Sequence, residues 1–115
     1  MIDLLALAAA VATPAPLTTP QDRDLSCFAV FSFAVSQAPP AQRGNIATLV
    51  TYYVGRLEGR SPGIALEREL RRVMGNDAVF RARYPSEMTR CATEAKAMGD
   101  RLTRLGTAMQ QPGRP

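Results

Sequence analysis

The sequence predicts an all-α protein, a small bundle of four main helices plus one short helix, closed by one disulfide. Three observations carry that expectation. Apolar residues recur at alternating three- and four-residue spacing along two long stretches. Proline and glycine fall where helices would start and stop. Two cysteines, Cys27 and Cys91, stand near opposite ends of the patterned region.

The first helix is expected over residues 20–37. Thr19 suits the cap, Pro20 the first helical position, and Asp22 brings a carboxylate to the first turn, where the helix dipole favours it. Its run Cys27-Phe28-Ala29-Val30-Phe31-Ser32-Phe33-Ala34-Val35 is apolar nearly all round. Such a helix is either central in its domain or shared with a partner, which makes Val30 and Phe33 candidates for an exchangeable interface. A strand is the competing reading of these β-branched and aromatic residues; the flanking caps and the alanines favour helix.

Ala38-Pro39-Pro40 ends that helix, and a second is expected over residues 41–58. Ile46, Leu49, Val50, Tyr53 and Leu57 share one face, with Gly59 as the C-cap. Ser61-Pro62 then reads as cap and first residue of a third helix to Met74, with Leu66, Leu70, Val73 and Met74 as its buried stripe and Gly75 as its end. Asn76-Asp77 starts a short helical piece to Arg83, anchored by Val79 and Phe80 and broken by Tyr84-Pro85.

The last helix is expected over residues 86–110. Met88, Cys91, Ala95, Met98, Leu102, Leu105 and Met109 form a coiled-coil-like seam. Ala92, Gly99 and Gly106 make a period-seven row beside it, which implies close approach of another helix. With Cys91 in that seam and Cys27 in the first helix, a bond between them would pin the two ends of the bundle together. Closing a loop of about 65 residues stabilises a fold by roughly 4 kcal/mol on the chain-entropy model. Two buried free thiols are the alternative.

The first 12 residues read as a signal peptide. Residues 4–12 are nine apolar positions, too few to cross a bilayer, and Ala10-Val11-Ala12 has the small-x-small cleavage pattern. Met1-Ile2-Asp3 departs from that pattern by lacking a basic residue, so a frayed or buried N-terminal helix is the alternative. Residues 13–19 form a Pro/Thr-rich spacer expected to be disordered, residues 20–110 the helical domain, and residues 111–115 a disordered tail. Export to the periplasm agrees with an even cysteine count. A cytosolic protein with reduced thiols is the opposing class.

The chain has 115 residues and a net charge of +4, enough for one modest core. All its basic residues but Lys96 are arginines, and they alternate with Glu67, Glu69, Glu87 and Glu94. Aromatics make up 6% and do not alternate with arginine as a single-strand-binding surface requires, so nucleic acid is not an expected partner. The absence of histidine removes most metal sites and the usual base of nucleophilic triads. Glu67 and Glu69 diverge on a helix, no calcium or phosphate loop is present, and no Cys-x-x-Cys occurs. No enzyme, cofactor or metal site is expected.

Tyr52-Tyr53-Val54-Gly55-Arg56-Leu57-Glu58-Gly59-Arg60 is the most distinctive string. Tyr52, Arg56 and Arg60 fall on one helical face as a candidate binding patch; solvated arginines beside a close helix contact at Gly55 are the alternative. With Cys27 and Cys91 on either side, this string resembles short exported alphaproteobacterial proteins of uncharacterised function. The resemblance spans residues 25–105 and implies a periplasmic helical domain, without active residues. A small helical exported protein with one disulfide also looks loosely like the acid-stress periplasmic chaperones, whose cysteine spacing is shorter.

The functional expectation is a non-enzymatic periplasmic protein that works through protein–protein binding, chaperone-like or homo-oligomeric. The apolar first helix and the methionines from Met74 onward motivate it. The alternative is a binder of anionic envelope ligands, membrane surface included, through Arg56, Arg60, Arg68 and Arg72.

Overall fold

A computed structural model describes residues 19–111 and 113. The expected leader, nearly all of the spacer and most of the tail lie outside these residues. Four helices follow one another: α1 (Pro20–Gln37), α2 (Pro40–Arg60), α3 (Leu66–Met74) and α4 (Asp77–Met109), with no strand among the described residues. The all-α fold and the Cys27–Cys91 bond are thus as the sequence implies.

α1 starts where its capping residues indicate. The Thr19 hydroxyl accepts the Asp22 N–H at 3.1 Å, and Pro20 takes a position whose missing N–H costs nothing. This helix touches all three others, α2 most extensively, which accounts for its apolar surface all round. Leu25, Cys27, Ala29, Val30 and Phe31 are buried, joined by Tyr53 and Leu57 from α2 and by Phe80, Cys91 and Ala95 from α4. Phe31 and Tyr53 stack at 5.8 Å between ring centroids. The disulfide joins α1 to α4 in the middle of this cluster, with Cα atoms 5.4 Å apart.

Three boundaries differ from expectation, each because a tertiary tie overrides a local signal. α2 runs past Gly59 to Arg60, and the Ser61 N–H closes it on the Leu57 carbonyl at 2.9 Å. Arg60 is held by a carboxylate of α1, and the Ser61 hydroxyl reaches Gln21. Ser61 and Pro62 therefore do not open α3. They enter a turn in which Ile64 N–H meets the Ser61 carbonyl at 3.0 Å and Gly63 takes φ +79°. Proline followed by a positive-φ glycine is the chemistry of a type II turn. α3 is consequently shorter than expected.

The expected break at Tyr84-Pro85 is absent, and the short helix and the last helix are one continuous α4. Pro85 has no N–H to give the Arg81 carbonyl, a loss of about 3 kcal/mol inside a helix. Anchors on both sides hold the helix through it. Phe80 and Tyr84 pack edge-on against Phe33 of α1 at 6.0 and 5.3 Å, and one turn and a half beyond Pro85 the disulfide ties Cys91 to the same helix. Asn76 caps the merged helix by accepting the Val79 N–H at 3.1 Å.

α4 outlasts the bundle. Its seam is buried at Cys91 and Ala95, whereas Leu102, Leu105 and Met109 are exposed by 54, 52 and 79%. No neighbouring helix approaches Gly99 or Gly106, and a side chain at either would meet open space. The same is true of Gly55, so the close contact of the alternative reading does not form there among the described residues.

Candidate functional site

Asp24 lies just past the first turn of α1 and is buried together with the apolar run that follows it. A lone carboxylate there requires partners, because desolvating a charge is costly unless it is paired. They come from α2: Asp24 Oδ2 accepts Arg56 Nε at 3.2 Å and Arg60 Nη1 at 3.0 Å. Arg56 also donates from Nη1 to the Tyr52 hydroxyl at 3.1 Å and lies 5.7 Å from the centre of that ring. The four-residue spacing of Tyr52, Arg56 and Arg60 produces the shared face, as expected, and that face closes over Asp24.

The hydrogen bond to Tyr52 raises the Arg56 pKa above its ordinary value; burial works against it and the Asp24 bond reinforces it. Arg56 is therefore a permanent cation. Next to it, burial pushes the Tyr53 phenol well above the ordinary tyrosine value, with Glu94, Tyr52 and Asp24 adding to the effect and Arg56 opposing it. The Tyr53 hydroxyl has no hydrogen-bond partner among the described residues. A phenol so reluctant to ionise does not serve as a base at neutral pH.

Across from this face lies α4. Tyr52 and Arg56 form one wall of a groove of about 310 Å³, whose other wall is Glu94, Ala97, Met98, Arg101 and Arg104. Glu94 is turned to Arg90, which donates to it at 2.7 Å and also binds Glu87 and the Arg23 carbonyl of α1. Burial opposes the Arg90 charge, but Glu87 and Glu94 outweigh it and raise its pKa. Arg101 and Arg104, one turn apart, have no ion-pair partner among the described residues.

The other sequence candidates fall elsewhere. Arg72 holds Asp22 and Glu69, and Arg68 lies 3.8 Å from Glu69, so both face carboxylates around α3. Val30 is enclosed in the core, where an interface would require the bundle to open; Phe33 is partly exposed beside Phe80 and Tyr84. Asp24, Arg101 and Arg104 are functional candidates that sequence reasoning passed over. An aspartate at the head of an apolar run, opposite arginines four apart, was the available signal for the first.

Among the described residues no helix is long and apolar enough to cross a membrane, and no group of three or more His, Cys, Asp or Glu could hold a metal ion. The disulfide is consistent with an oxidising, extracytoplasmic location. No protein-family model, curated protein or solved structure matches the chain.

Proposed function

We propose that this chain is a non-enzymatic, exported helical protein that works through protein–protein contacts, chiefly by pairing with a second copy along the free end of α4. One observation carries the reading: the apolar seam of α4 continues past the bundle with Leu102, Leu105 and Met109 exposed. A coiled-coil seam left open over about two turns is an unfinished interface.

Its register is self-complementary. Antiparallel pairing about the midpoint between residues 103 and 104 would set Leu102 against Leu105 of the second copy and Met98 against Met109. The same register sets Gly99 against Ala108 and Gly106 against Arg101 of the second copy, and the open space at both glycines would admit those side chains. Arg101 would thus face a glycine of the second copy and Arg104 a threonine, Thr103, which avoids a like-charge clash. An overlap of about 12 residues per chain is at the small end of specific interfaces, so association should depend on concentration. The same stripe, rimmed by arginine, is suited to transient contact with apolar segments of unfolded clients, a chaperone-like use.

Light scattering coupled to size exclusion tests the reading across about 10 μM to 1 mM. The expected result is a monomer–dimer equilibrium in the unmodified chain and a folded monomer throughout for L102E/L105E, because both side chains lie clear of the core. A monomer at every concentration would sink it. Export is tested separately by the intact mass of the full-length product from a Gram-negative host. Loss of residues 1–12, with thiols that alkylate only after reduction, is expected; an uncleaved chain would count against export.

A further inference from the structure

We infer that the groove between α2 and α4 is a binding site for a phosphate-type oxyanion, held by Arg56, Arg101 and Arg104 with the Tyr52 hydroxyl. The inference rests on the groove rather than on the open seam, and the two share Met98, Arg101 and Arg104 of α4.

Four observations converge on it. The groove is lined by three arginines, Arg56 from α2 and Arg101 and Arg104 from α4, and by a single carboxylate residue, Glu94, which is already engaged by Arg90. Arg56 is fixed by Asp24 and Tyr52 through Nε and Nη1, which leaves its remaining N–H groups free to donate. Such a guanidinium is preorganised, so little side-chain entropy is lost when an anion arrives. Among the described residues Arg101 and Arg104 have no carboxylate partner, in contrast with Arg60, Arg68, Arg71, Arg72, Arg81 and Arg90. At about 310 Å³ the space matches a phosphorylated headgroup or small ester and is at the low end for larger ligands.

Guanidiniums on two sides suit a phosphate group, whose tetrahedrally arranged oxygens can be met from more than one direction, better than a planar carboxylate. Ala97 and Met98 give the α4 wall an apolar strip. The ligand chemistry is therefore a phosphate group, on a soluble ester or on a lipid headgroup whose acyl portion lies along that strip.

The test uses the full chain in two arms at constant ionic strength. In the first, inorganic phosphate is titrated while the ¹⁵N–¹H signals of the arginine Nε–H groups and of the α4 amides are followed by NMR. In the second, the protein is sedimented with vesicles of phosphatidylglycerol or of phosphatidylcholine. The expected result is saturable binding in at least one arm, weakened about tenfold or more in R101Q/R104Q and changed less than about twofold in R68Q/R71Q, which loses the same charge at α3. Both pairs are exposed, so neither variant should unfold. Saturation with free phosphate identifies a soluble phosphate ligand, and binding to phosphatidylglycerol vesicles alone identifies a headgroup. Shifts that chloride reproduces, equal losses in the two variants, or binding in neither arm would overturn the inference. Dimerisation that survives in R101Q/R104Q separates this site from the seam of α4.

Discussion

Truncating Asp24 to alanine would leave Arg56 and Arg60 without the carboxylate that gathers them onto α1. Their side chains are already 39 and 42% exposed, so both can turn to water when released. That limits the penalty, which for a fully buried partner would be several kcal/mol. D24A should lower stability in urea by about 1–2 kcal/mol, most of it from lost order between α1 and α2. Tyr53 behaves differently, because its buried hydroxyl has no hydrogen-bond partner among the described residues. Y53F removes that polar atom while keeping the ring against Phe31, so it should match or exceed the parent in stability by up to about 1 kcal/mol. The pH dependence follows from the raised pKa. The folded state holds the phenolic proton more tightly than the unfolded chain, whose tyrosine ionises near pH 10. This contribution is complete below about pH 10 and is lost as pH rises toward the folded-state value. Urea midpoints measured from pH 8 to 11 should fall above about pH 10 in the parent and fall less in Y53F.

At the scale of elements, Pro85 is the test of how tertiary anchoring outweighs local preference. It sits exposed inside α4, with Tyr84 packed on α1 before it and Cys91 bonded to α1 after it. P85A restores a donor to the Arg81 carbonyl and removes the ring clash. It should raise stability by about 1–3 kcal/mol without moving the disulfide or the Phe33 contacts, as urea denaturation and NMR would report. A loss of stability instead would mean that the α4 path depends on the proline. This element also marks the limit of what the sequence made legible. α1 was readable at both ends because its signals are local: Thr19 caps, Pro20 starts, Ala38-Pro39 stops. The Cys27–Cys91 contact was readable because the heptad pattern placed Cys91 on an inward face. The path through Pro85 was not, since what holds it are Phe33 contacts from a helix some 50 residues earlier. The end of α2 and the start of α3 were misread for the same reason, with Asp24 and Gln21 of α1 capturing Arg60 and Ser61. In the candidate site, the arginine face of α2 was visible as periodicity, whereas the groove needed the relative placement of α2 and α4. No spacing within one helix encodes that placement.

For the molecule as a whole, the question is how a core this small suffices. Its largest fully enclosed side chains are Tyr53, Leu25, Leu57 and Val30 together with the two cysteines, and the free end of α4 adds none. A domain of this size has a net stability of about 5–15 kcal/mol, and a small core points to the lower part of that range. The cross-link closes a loop spanning 64 positions and ties the helix that touches every other to the one that projects furthest. Its chain-entropy contribution of about 4 kcal/mol is then a large share of the total. C27S/C91S, or the parent in reductant, should lose about that amount, equivalent to a drop in Tm on the order of 20 °C by calorimetry. α4 should detach first, because its other ties to α1 are the Phe33 cluster and the Arg90 bond to the Arg23 carbonyl. Hydrogen exchange in the reduced protein should therefore show α4 amides losing protection before those of α1 and α2, whose Asp24 clamp does not involve the bond. If the reduced protein instead melts within a few degrees of the oxidised one, the fold does not need an oxidising compartment. The proposal of export would then stand on the first 12 residues alone.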